Sequence, residues 1–566
     1  MRNDITDLNA SDLSNSIHAR QVSCVEVMQA YLARIDKLNP TYNAIVNLAP
    51  ADALLAQARQ CDEELARGQS RGWLHGIPQA IKDTGSALGF PSTMGSRVLA
   101  GNMPRADSIM TERMKAAGCI VIGKTNMPEL GLGSHTFNTL FGATPNAWDT
   151  AVSAGGSSGG AAVALAHRLL PAADGSDFMG SLRNPAGWNH IFGMRPSQGR
   201  VPYGPGADVW VDQLGTEGPM ARSVRDLARL LATQSGHDAR QPLSINGAPD
   251  VSGIRYTPDA LQGLRVGWLG DLDGHLAVED GILDVCEDAL RAMQNAGAKV
   301  EPTALGYDTQ ALWDCWLVWR RALIGPKVAA LMPLTSEAEQ LKPEAMWEYE
   351  NSLKLSYMDF HKASQRRTSF YHQLLKLFEH CDVLALPVAQ VWPFPVEWRW
   401  PQQIGERVMD TYHRWMECTI YATLAGLPAI SLPAGFHPTQ PWPMGIQLIG
   451  KPQGDVALLQ VAASYEAVRS DWLQRRPMAA SDTASERAPA REQLLAAGGH
   501  LQVQAQIEPC RPGHVVHADA VAQAGQRNLA GLVQHGVAAE PLRTHLTPTV
   551  RTNLSPRHAG LQRSAL

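Results

Sequence analysis

The chain has 566 residues, 45% of them hydrophobic, enough for a large core and, by length alone, for about three or four domains. Its net charge of −5 and pI near 6.4 give no electrostatic reason to expect a nucleic-acid or anionic-membrane partner. No apolar run approaches the roughly 20 residues that span a bilayer, and the polar start Met1-Arg2-Asn3-Asp4 is unlike a signal peptide.

The opening is predicted helical. Ser23-Cys24-Val25-Glu26 is a capping box, and Met28, Leu32, Ile35 and Leu38 follow as one apolar stripe. Asn39-Pro40 should stop this helix, because a residue before proline disfavours the α region. A second helix is expected from Ala51 to Leu65, then a turn at Gly76-Ile77-Pro78 leading into Ala80-Ile81-Lys82. A helix around Met110 to Ala117 precedes a short buried strand at Gly118 to Gly123, the alternation of an α/β sheet. Further strands are expected at Leu264 to Leu269, Asp382 to Leu386, Ala429 to Leu432 and Gly445 to Ile449, with helices at Val278 to Asn295 and Asp455 to Arg469. Residues 236–262 are rich in Gly, Pro, Asp and Ser and read as a surface excursion. Residues 478–566 hold no Phe, Trp, Tyr or Lys. With so little to bury they read as a disordered or loosely attached extension of a catalytic domain spanning 1–477.

The most informative stretch is Gly155-Gly156-Ser157-Ser158-Gly159-Gly160, followed by Gly180-Ser181-Leu182-Arg183, with Lys82 upstream in Ile81-Lys82-Asp83. A glycine-serine cluster alone is usually a flexible turn, and a lone lysine is usually a surface charge. A phosphate loop is excluded, because Ala161-Ala162 follows Gly160 where Lys-Ser/Thr is needed. The joint order and spacing of the three motifs resembles the amidase signature family. The flanking segments Gly123-Lys124-Thr125-Asn126-Met127, Gly218-Pro219-Met220-Ala221-Arg222 and Ala425-Gly426-Leu427-Pro428-Ala429 extend the likeness over roughly residues 5–475.

The resemblance implies an α/β fold with a large central mixed β-sheet flanked by helices on both faces. It implies an amidase acting on linear carboxamides through a Ser-Ser-Lys triad. Ser181 matches the nucleophile, Ser157 the bridging serine that the family holds through a cis peptide, and Lys82 the base. The backbone N–H groups of Phe178, Met179, Gly180 and Ser181 match the oxyanion loop, and Ser158, Asp177 and Arg183 match positions that organise the site. The chemistry is coherent. A lysine with a pKa of about 10.4 is a poor base at neutral pH, whereas burial lowers it and lets it take a proton. The glycines of 155–160 allow close backbone approach. A helix over Ala161 to Leu169 would turn its N-terminal dipole toward the serines. Met179 departs from the family, which usually has a glycine there. Its side chain should narrow the acyl pocket, and it would be strained if the loop needed a positive φ.

Neither a cofactor nor a metal is expected, since His75, His190, His380 and His413 show no ligand spacing. Eight scattered cysteines without a Cys-x-x-Cys pair read as buried reduced thiols of a cytoplasmic protein. The expected partner is a small-molecule amide, without nucleic acid or membrane; a homodimer is an analogy with similar enzymes only. Trp313, Trp316, Trp319, Trp392, Trp398 and Trp400 are candidates for an aromatic pocket, although tryptophan at helical spacing is more often core. Three alternatives stand beside the amidase. One is a Ser-His-Asp α/β-hydrolase needing a histidine such as His413 or His437. Another is the glutaminase-type subunit of a tRNA-dependent amidotransferase. The third is a catalytically silent relative, supported only by Met179.

Overall fold

The first long helix begins as its capping box dictates. Ser23 Oγ accepts from the Glu26 N–H at 3.1 Å, and the Glu26 carboxylate accepts from the Ser23 N–H at 2.8 Å. This helix, Cys24–Tyr42, buries Met28, Leu32, Ile35 and Leu38 as expected, but it runs through Pro40 to Tyr42 instead of stopping at Asn39. Tertiary contacts override the local bias of the proline. Tyr42 is buried against the His167 ring, with centroids 3.9 Å apart. The Asn39 side chain meanwhile accepts from the N–H groups of Ala44 and Ile45 and ties down the chain after the helix.

The computed structural model describes residues 4–336 and 340–478. The extension expected over 478–566 therefore lies, apart from Met478, outside the described residues. All described residues fall within one unit. A three-stranded sheet has the order Ile45–Val46, Ile120–Thr125, Pro78–Lys82, the last two parallel. An eight-stranded mixed sheet has the order Lys299–Pro302, Arg265–Trp268, Val383–Pro387, Pro443–Gly450, Ala429–Phe436, Phe192–Arg195, Thr216–Ala221, Ala173–Asp177. Neighbouring strands pair parallel only among the first three, and every other adjacent pair is antiparallel.

Helices cover both faces of the large sheet, as strand Pro443–Gly450 shows. Successive residues of a strand point to opposite faces. Gln447 accepts from Arg183 of helix Arg183–Trp188 on one face, and Gly450 faces Leu458 of helix Asp455–Val468 on the other. The expected mixed α/β fold is the one observed.

No strand was expected at Ala173–Asp177, Phe192–Arg195 or Thr216–Ala221; the first and last carry no alternating apolar pattern, and in the second only Phe192 and Met194 alternate. They are short, rich in Gly and polar residues, and almost wholly buried. The helix expected from Val278 begins at Ile282, because Glu279 is held in the preceding loop by the N–H of Trp392 at 2.7 Å. The 236–262 excursion does run over the surface, anchored by buried Ile254 and Leu261.

Two apolar cores meet at the segment 179–188. Met179 and Trp188 belong to the core of the large sheet, whereas Leu182 and Ala186 belong to the core around the N-terminal helices. One close contact that seats this segment is at Gly445, where an added Cβ would lie 2.7 Å from the Gly187 Cα and 2.9 Å from Ser431 Oγ. Gly445→Ala should therefore lift helix Arg183–Trp188 off the sheet and cost about 1–3 kcal/mol, read as a lowered midpoint in chemical denaturation.

Candidate active site

Strand Pro78–Lys82 ends by carrying Lys82 into the interior, where the residue is 1% exposed. Its backbone N–H donates to Asp174 Oδ2 at 3.0 Å. Its Nζ lies 2.7 Å from Ser157 Oγ, 2.9 Å from Ser158 Oγ and 2.9 Å from Ser176 Oγ. Among the described residues no carboxylate comes within ion-pair distance of this nitrogen. Burial pushes the Lys82 pKa down to about 7, against the upward pull of Asp174, Asp177 and Glu217.

The serines reach Lys82 from a tight loop. The Gly156–Ser157 peptide is cis. Helix Gly159–Ala166 starts directly after Ser158, two residues earlier than expected, so its N-terminus lies beside the serine pair. The Ser158 N–H donates to the Ser181 carbonyl at 3.2 Å, which ties this loop to the turn bearing Ser181.

That turn follows strand Ala173–Asp177 and is organised by Asp177. Its carboxylate accepts from the N–H groups of Gly180 at 2.9 Å and Leu182 at 3.2 Å, and from Arg183 Nε and Nη2 at 3.0 Å each. Arg195 Nη1 donates to the Asp177 carbonyl at 2.6 Å. Burial pushes the Asp177 carboxyl up, but the two arginines outweigh burial and hold it well below the usual range.

This arrangement corrects one expectation. The Gly180 N–H is engaged by Asp177, so among the described residues the unpartnered donors of the loop are those of Phe178, Met179 and Ser181. Met179 carries no strain either, because the positive φ, +81°, falls on Gly180. The Met179 side chain packs into the core and forms a wall of the cavity.

Ser157 and Ser181 both line a cavity of about 110 Å³, whose walls include Ser176, Phe178, Met179 and Arg320. Lys82, Ser157, Ser158, Asp177, Arg183 and the 178–181 loop are thus brought together. Sequence reasoning missed Ser176, Asp174, Glu217, Arg320 and the loop Leu130–Ser134 that backs Ser157. Ser176 adjoins Asp177 and was within reach of the motif; the others are set by strand pairing and helix packing. Burial pushes the Asp174 pKa up to about 6. Burial and the Asp174 charge together push Glu217 up to about 8.

The tryptophans do not line this cavity. Trp313, Trp316, Trp319 and Trp392 are core residues, and Trp398 is exposed. Among the described residues no histidine lines it either. His413 is fully buried among Trp313, Trp347 and Tyr412, and burial pushes its ring well below the ordinary pKa. His437 lies in the loop after Ala429–Phe436, where its Nδ1 accepts from the N–H groups of Thr439 and Gln440. Among the described residues the Ser-His-Asp alternative therefore has no histidine in the lining of the serines' cavity.

Away from the cavity, Cys61, Glu64 and His75 bring potential metal donors within 4.8 Å of one another, a grouping that ligand spacing had not suggested. Glu64 is already paired with Arg71, and the His75 nitrogens meet the Arg71 N–H and the Cys61 carbonyl. The seven described cysteines are buried and free. No described helix is long and apolar enough to cross a membrane.

Comparison with known proteins agrees with this geometry. The Amidase family model matches residues 26–459. One component of the glutamyl-tRNA(Gln) amidotransferase of Chloroflexus aggregans is 34% identical over 502 residues, covering 83% of this chain and 98% of that protein. An acylamidase of Rhodococcus erythropolis is 32% identical over 485 residues, covering 83% and 97%. The crystal structure of a bacterial aryl acylamidase of the amidase signature family superposes with a TM-score of 0.75 at 28% identity, covering 83% of this chain and 99% of that one. The fold, the serine-lysine cluster and a match across most of the sequence lead to one conclusion: the chain belongs to the amidase family.

Proposed function

We propose that this protein hydrolyses a linear carboxamide through an acyl-enzyme on Ser181. The observation that carries the reading is the 2.7 Å contact between buried Lys82 and Ser157, with Ser181 on the same cavity wall. Ser181 Oγ attacks the carbonyl carbon. Its proton passes to Ser157, which gives its own to neutral Lys82. The N–H groups of Phe178, Met179 and Ser181 stabilise the oxyanion. As the tetrahedral intermediate collapses, Ser157 protonates the leaving ammonia or amine and regains a proton from Lys82. Water then attacks the acyl carbon, its proton follows the same relay, and the carboxylic acid leaves with Ser181 restored. The cavity of about 110 Å³ suits a small acyl or aryl group, and the acylamidase relatives support that choice.

Ser181→Ala should abolish turnover, and Lys82→Ala should lower kcat/KM at least about 100-fold. A fluorophosphonate should label Ser181, located by mass spectrometry. Full amide hydrolysis by purified Ser181→Ala would refute the assignment.

The lysine also sets a pH dependence. Only the neutral amine accepts a proton, and its pKa lies at about 7. The rate of Ser181 labelling should therefore rise as pH increases through about 7 and level off above it, not climb toward the roughly 10.4 of an ordinary lysine.

The amidotransferase relatives favour a second reading, a glutaminase-type subunit working in an assembly. Turnover of simple amides by the purified chain alone is the expected result. Release of ammonia from glutamine only, and only with partner subunits present, would establish the second reading instead.

A further inference from the structure

Arg320 stands on helix Thr309–Leu331, is 2% exposed and lines the same cavity as the two serines. Two arms of its guanidinium are tied down. Nε donates to Glu348 Oε1, and Nη2 donates to the Tyr412 hydroxyl at 2.6 Å. Tyr412 in turn donates to Glu348 Oε1 at 2.6 Å, which closes a three-residue ring of hydrogen bonds. The third arm is different. Nη1 reaches only the Met179 sulfur, at 3.8 Å, and a thioether is a weak acceptor. The guanidinium carbon sits 5.7 Å from the centre of the Phe178 ring, so the group lies over the side chains of the loop that leads to Ser181.

A buried N–H without a good acceptor is costly, and here the donor belongs to a group fixed in orientation in the lining of the cavity that holds the two serines. We infer that Arg320 reads a neutral hydrogen-bond acceptor, a carbonyl, amide or ether oxygen, on the part of the substrate that lies against Phe178 and Met179. The choice of a neutral acceptor follows from the charges around the cavity. Arg320 is matched by Glu348, and Lys327 on the same lining is matched by Asp212 at 2.6 Å. Asp177, the remaining charged residue of the lining, turns its carboxylate to Arg183 and Arg195, which stand behind the lining and are held there by Asp177, Gln447 and backbone carbonyls. A neutral oxygen satisfies Nη1 without adding charge, whereas a carboxylate would bury a second negative charge at an arginine already paired with Glu348. This inference rests on the amidase reading of the cavity and names the kind of substrate that reading leaves open.

The test uses pairs of amides matched in size, one member bearing a carbonyl or ether oxygen where the other has a methylene, in an acyl-side and an amine-side series. In at least one series the full-length protein should favour the oxygen-bearing member by roughly 10- to 100-fold in kcat/KM. Arg320→Lys keeps a cation opposite Glu348 but loses the fixed third arm, so the preference should fall to within about threefold of unity. General damage to the site would slow both members alike and leave their ratio unchanged. If Arg320→Lys fails to fold, the double variant Arg320→Met/Glu348→Gln removes both charges together and is read by the same ratio. A wild-type ratio near one in both series, or an unchanged ratio in the variants, overturns the inference while leaving the amidase intact. Preference for a carboxylate-bearing analogue over the neutral acceptor also overturns it. No turnover of any pair, with no labelling of Ser181, instead removes the amidase reading and this inference with it.

Discussion

Everything at the site depends on the burial of one ammonium group. Removing a lysine head from water is costly unless it is paired or neutral, and Lys82 is surrounded by hydroxyls where an ion pair would otherwise stand. Its surroundings keep it near neutrality. Ser176 and Glu217 face each other across adjacent antiparallel strands, so their side chains share the face that meets Lys82. Burial and Asp174 push the Glu217 carboxyl up to about 8, which weakens its upward pull on Lys82 at neutral pH. The neighbouring Lys124 is answered separately by Asp83 at 3.8 Å. A lysine buried among hydroxyls is thus a consequence of where two sheets meet.

The second constraint acts on the turn that bears Ser181. Asp177 holds two backbone N–H groups and two arginines at once, all of them fully buried. A buried ion network of this kind is weak evidence for net stability, yet removing one partner strands the others. Its role here is positional. Arg183 reaches on to Gln447 at 2.6 Å and so ties the turn to the middle of the large sheet. Because the segment also bridges two apolar cores, the position of Ser181 is linked to the packing of both.

Local signals in the sequence were legible where the physics is local. The Ser23-Glu26 box, the apolar stripe after it and the hydrophobic strands near 383 and 445 could be read directly, because each depends on residues close in sequence. The proline at 40 misled because a distant contact between Tyr42 and His167 offsets its local cost. The strands at 173, 192 and 216 were invisible because they are short and rich in Gly and polar residues that read locally as loop. The tryptophans of helix Thr309–Leu331 behaved as their helical spacing suggests and went to the core.

The sequence by itself determined the family, the three motif residues Lys82, Ser157 and Ser181, and the mixed α/β class, because glycine-rich loops and a serine-lysine set at fixed order depend on residue identity. Only the tertiary structure decided how they work together. It showed that Gly180 lends its N–H to Asp177, that Met179 escapes strain, that Asp174 and Glu217 lie beside Lys82, and that the third arm of Arg320, a cavity-lining residue, meets the Met179 sulfur. Those relations join residues as much as 141 positions apart. They arise from desolvation and strand register, which exist only once the chain has folded.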